Sequence, residues 1–60
     1  MRALNILVTL ETKNGIQLAE RTTEIYNLGD VRTEVEKLLR EVLHNEPSST
    51  KVLSISHVIL

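Results

Sequence analysis

Sixty residues with a formal net charge of −1, seven Lys and Arg against eight Asp and Glu, describe one small domain without a strong field of either sign. The chain has no cysteine, so neither a disulfide nor a zinc–thiolate site can staple it, and Tyr26 is the sole aromatic, which leaves Leu, Ile and Val to make the core. No basic stripe marks a nucleic-acid surface, and no apolar run approaches the ~20 residues that a membrane helix needs.

A fully buried aliphatic side chain brings roughly 1.5–3 kcal/mol, whereas ordering each residue's backbone costs about 1–2 kcal/mol. A chain this short is near the limit of self-sufficiency, and a second copy is an expected way to complete it. The N-terminus carries one Arg and a short apolar strand instead of a signal peptide, so the expected setting is the cytoplasm.

Residues 4–12, LNILVTLET, alternate with a period of two. Leu4, Ile6, Val8 and Leu10 share one face, and Asn5, Leu7, Thr9 and Glu11 share the other, which predicts a strand. Asn14-Gly15 follows as a hairpin signal, because both residues tolerate positive φ, and residues 16 to about 26 form the returning strand. Two registers compete. A tight Asn-Gly loop pairs Lys13 with Ile16 and sets Leu10 opposite Ala19. A bulged Lys-Asn-Gly loop pairs Thr12 with Ile16 and sets Leu10 opposite Leu18, exchanging the faces of the whole second strand. A second bulge near Leu18-Ala19 would reconcile the two.

Asn27-Leu28-Gly29-Asp30 ends the hairpin. Asp30 is expected to cap a helix by accepting from the N–H groups of its first turn. Val31, Val35, Leu38, Leu39, Val42 and Leu43 recur at helical spacing, with Thr33, Glu36, Lys37, Arg40 and His44 on the opposite face and Glu36–Arg40 as an i,i+4 pair. Asn45 is expected in the left-handed position after the last turn, and Pro47 forbids continuation. Ser48, Ser49 and Thr50 make a polar loop. Residues 52–60, VLSISHVIL, form a third strand with Leu53, Ile55, His57 and Ile59 on one side and Val52, Ser54, Ser56, Val58 and Leu60 on the other.

The order β-β-α-β predicts an α+β domain over residues 1–60, a three-stranded antiparallel sheet in the order 2-1-3 with one amphipathic helix on one face. The first strand, carrying Ile6-Leu7-Val8 in a row, suits the centre. One helix covers one face. Leu7, Val52, Val58 and Leu60 are therefore the expected dimer or partner face, and a homodimer formed through open faces or through an edge is the expected assembly.

Chemistry finds little support. Ser54, Ser56, His57, Asp30 and His44 include the residue types of a hydrolase triad, but Ser56 and His57 are strand neighbours that point to opposite faces, with no glycine elbow to present a nucleophile. Glu11, Glu20 and Glu24 could share a strand face, yet no pair of carboxylates joins a histidine at helical ligand spacing. No catalytic residue, metal ligand or cofactor site is assigned. The expected function is that of a small non-enzymatic interaction module, an accessory protein of bacterial or phage type with a partner the sequence does not name. The strand-strand-helix-strand order is similar in layout to the small phage-encoded inhibitors of uracil-DNA glycosylase, which are dimers near this length. That likeness implies, as an alternative, an inhibitor of a host enzyme. Those proteins are strongly acidic and carry aromatic residues at the binding edge, and this chain has neither property, so no residue is carried over. Weak nucleic-acid binding is a further alternative.

Overall fold

The computed structural model describes residues 2–45 and 50–60. Strands β1 (Arg2–Thr12) and β2 (Gly15–Ile25), helix α1 (Gly29–Asn45) and strand β3 (Lys51–Ile59) follow in that order. All three strands lie in one antiparallel sheet of order β2-β1-β3, with the helix on one face. Pro47, Ser48 and Ser49 lie outside the described residues.

The period-two pattern of β1 places the core. Leu4, Ile6, Val8 and Leu10 are buried beneath the helix, and they join Ile25 of β2 and Leu38 of α1. Val31, Val35, Leu39 and Val42 pack against this cluster. Leu43, at the margin of the apolar stripe, stays 46% exposed whereas Leu38 is 4% exposed.

The hairpin follows neither expected register. Thr12 pairs with Gly15, Leu10 with Gln17 and Val8 with Ala19. This pairing is shifted by two residues from the tight alternative, and so keeps that alternative's faces. The ladder runs without interruption, so no bulge arises at Leu18-Ala19. The physical reason lies in the turn. Gly15 takes φ +111°, a conformation closed to most side chains, and among the described residues no non-glycine residue has positive φ. Lys13 and Asn14 therefore form the loop, and Gly15 begins the return. Thr12 holds this geometry: its Oγ1 accepts from the Asn14 N–H at 3.1 Å and donates to the Gly15 carbonyl at 3.0 Å. Ala19, Thr23 and Ile25 thus lie on the helix side, and Ile16 and Leu18 on the other.

The helix begins differently from expectation. Asp30 does not cap its own first turn; its Oδ2 reaches back to accept from the N–H groups of Tyr26 and Asn27, at 3.0 and 3.2 Å. With Asn27 as the N-cap, Asp30 occupies the third helical position, the backward-reaching half of a capping box. The first turn closes through Asp30 N–H to the Asn27 carbonyl and Val31 N–H to the Leu28 carbonyl. At the other end Asn45 remains helical instead of taking the left-handed position. On the exposed face Glu36 pairs with Arg32 at 3.1 Å, not with Arg40, and Lys37 pairs with Glu34.

Strand β3 pairs with β1 from Ile59 opposite Leu4 to Lys51 opposite Glu11, with one irregularity: Thr9 faces Ser54 but Leu10 faces Val52. Leu53 is the extra residue of a β-bulge. Beyond it the alternation reverses. Val52 shares Leu10's face, on the helix side, and parts from Ser54, Ser56 and Val58.

Candidate interaction surface

The sheet face away from the helix carries Leu18 on β2, Leu7 on β1 and Val58 on β3. In the observed register these three run diagonally across the sheet, because Leu18 sits opposite Thr9, Leu7 opposite Glu20 and Ser56, and Val58 opposite Asn5. Leu7 is half-buried by its neighbours, and Leu18, Val58 and Leu60 are exposed. Leu60 is held beside Val58 by its N–H, which donates to the Ala3 carbonyl at 2.8 Å. Of the four residues expected on this face, Leu7, Val58 and Leu60 are together, and the bulge removes Val52. The stripe is interrupted by Thr9, Ser54, Ser56, Glu20 and the Asn5–Thr22 side-chain hydrogen bond of 3.0 Å. A mixed face of this kind is compatible with water in an antiparallel sheet.

Strand β3 is less compatible with water. From Val52 to Leu60 it has no Asp, Glu, Lys or Arg. Val52, Leu53 and Ile55 are 37, 50 and 43% exposed, and Val58 and Leu60 are 56 and 70% exposed. The helix approaches β2 and β1 but not β3, so this outer strand exposes large apolar side chains on both faces, and only its Ile59 packs against the core. The opposite outer strand, β2, carries Glu20, Arg21 and Glu24, the charges by which sheet edges resist association.

An ion pair links the helix to β2. Arg21 lies on the helix side of β2, opposite Ile6, and its guanidinium pairs with the Glu41 carboxylate of α1. The hydrogen bond from Arg21, with the attraction of its charge, holds the Glu41 carboxyl below the usual carboxylate range; the same contact raises the Arg21 pKa. A depressed folded-state pKa contributes stability above the unfolded carboxylate pKa and loses it as pH falls through the folded value. Glu41→Gln should therefore lower the urea midpoint near neutral pH, with the difference from the parent fading on acidification below about pH 4. The effect should be small and should weaken with added salt, since the pair is solvent-exposed. A difference that persisted at low pH would show that Glu41 acts through packing instead of charge.

Compared with family models, curated proteins and solved structures, the chain matches none.

The remaining polar groups are dispersed. His57 lies on the helix side opposite Ile6, while Ser54 and Ser56 lie on the other face; His44 is in the last helical turn. Among the described residues no three His, Asp or Glu side chains are placed to hold a metal ion. A shallow cleft of about 250 Å³ opens at the end of the sheet, lined by Arg2, Ile25, Tyr26, Asn27 and Leu28; ligand pockets typically begin near 300 Å³. Sequence reasoning missed this cleft, and it also left Ile16 and Leu18 unassigned to a face. No helix among the described residues is long and apolar enough to cross a membrane.

Proposed function

We propose that this protein is a small non-enzymatic interaction module that works as a homodimer, an accessory protein of bacterial or phage type acting in the cytoplasm. The observation that supports this reading is β3: nine residues at a sheet edge, uncharged beyond Lys51, with large apolar side chains exposed on both faces.

Light scattering coupled to size exclusion tests the reading. Between about 1 µM and about 1 mM, a range spanning weak and moderate affinities, the mass should move from 6.8 kDa towards twice that value. A mass that stays at 6.8 kDa throughout overturns the proposal.

A further inference from the structure

The backbone of β3 specifies how a second copy fits. In an antiparallel ladder, a residue's N–H and C=O point together to one side, and successive residues alternate. The Leu60 N–H bonds inward to Ala3. By alternation Val58, Ser56 and Ser54 also bond inward to β1, which leaves the N–H and C=O of Ile55, His57 and Ile59 directed out of the sheet edge. These three outward residues are evenly spaced and centred on His57.

We propose that two copies join by antiparallel pairing of β3 with β3 about a twofold axis through His57, a proposal that rests on the homodimer reading above. In that register His57 faces the partner's His57, Ile55 faces the partner's Ile59, and all three outward N–H and C=O groups on each side gain a partner together. The strand is its own complement. On the helix side Ile55 meets the partner's Ile59 to either side of the central His57 pair, and on the other face Ser56 meets the partner's Val58 and Ser54 the partner's Leu60. No Asp, Glu, Lys or Arg side chain between residues 52 and 60 must be desolvated. The same operation on β2 would bury Glu20, Arg21 and Glu24. The pairing makes a continuous sheet of order β2-β1-β3-β3-β1-β2, with both helices on one face.

The magnitude sets the expected affinity. In this register residues 54–60 of the two copies face each other, a seven-residue edge about 24 Å long. With the chain's shortest extent of 13 Å as its height, each copy gives up on the order of 300 Å², which is below the 800 Å² per partner of a standard interface. The dimer is therefore weak and forms by mass action.

The absence of cysteine makes cross-linking a clean test. His57→Cys puts two thiols opposite each other across the axis, within the 4.4–6.8 Å Cα separation a disulfide accepts. Under mild oxidation, at a concentration where the parent is dimeric, His57→Cys should convert to a covalent dimer. Leu7→Cys, at the centre of the open face, should not. Amide exchange at Ile55, His57 and Ile59 in the unsubstituted protein should slow at least tenfold between dilute and concentrated samples. Cross-linking through Leu7→Cys but not His57→Cys, or fast exchange at those amides in a proven dimer, overturns the edge pairing and leaves the dimer reading intact. A parent that is monomeric throughout overturns both.

Discussion

Replacing Ile6 with Ala should bring the protein close to unfolding. Ile6 is fully buried at the centre of β1, flanked by Arg21 on β2 and His57 on β3 and covered by the helix. Isoleucine to alanine in such a site typically costs about 2–5 kcal/mol, the sum of lost transfer energy and the cavity that remains. Domains have roughly 0.05–0.15 kcal/mol of stability per residue, so a chain this short has about 3–9 kcal/mol in all. Urea unfolding followed by far-ultraviolet circular dichroism should show the midpoint falling by about half or more, compared at one protein concentration because association would couple to stability. A loss below about 1 kcal/mol would show that the β1 core collapses around the cavity and that the sheet is less tightly packed than its burial indicates.

The second large effect belongs to the helix. Leu38 is the one helical side chain buried in the core, so Leu38→Ala should cost about 2–4 kcal/mol. Leu43→Ala, at a position left 46% exposed, should cost under about 1 kcal/mol. The loss should also be local. A helix fastened to the sheet mainly through Leu38 and its partly buried neighbours should loosen before the strand ladder does. Amides of α1 should therefore exchange faster in Leu38→Ala while those of Leu4 to Leu10 stay slow. Equal costs for the two substitutions would mean that Leu43 is covered in solution, and would move the interface to the helix.

What the sequence reveals here divides by the range of the interaction. The elements, their order, the central position of β1 and the stripe from Val31 to Val42 follow from local periodicity, which side-chain geometry enforces within each element. The hairpin register does not follow, because it depends on which residue of Lys13-Asn14-Gly15 takes the left-handed conformation. The pattern of Ile16, Leu18, Ala19 and Ile25 supports either face, and the Thr12 hydroxyl decides the matter through two hydrogen bonds. Asp30 likewise presents the chemistry of a cap in sequence, but its direction, backward to Tyr26 and Asn27, depends on where the chain bends. The bulge at Leu53 carries no Gly or other local marker, so Val52 reads as a partner of Val58 until its pairing with Leu10 is seen. Surplus apolar area is legible in the sequence, with Val52, Val58 and Leu60 of the four expected residues on the third strand. The exposure of that strand's helix side is not, since periodicity states which sheet face a helix covers but not how far it lies to one side.

That sideways placement has a consequence for the paired molecule. With α1 over β2 and β1, two copies joined at β3 would carry their helices about four strand spacings apart, roughly 19 Å. Packed helices lie 8–10 Å apart. The space between them is a trough one helix wide, with Ile55, His57 and Ile59 of both copies as its floor. A monomer has only one wall of it, so whatever rests there would be gripped only after assembly.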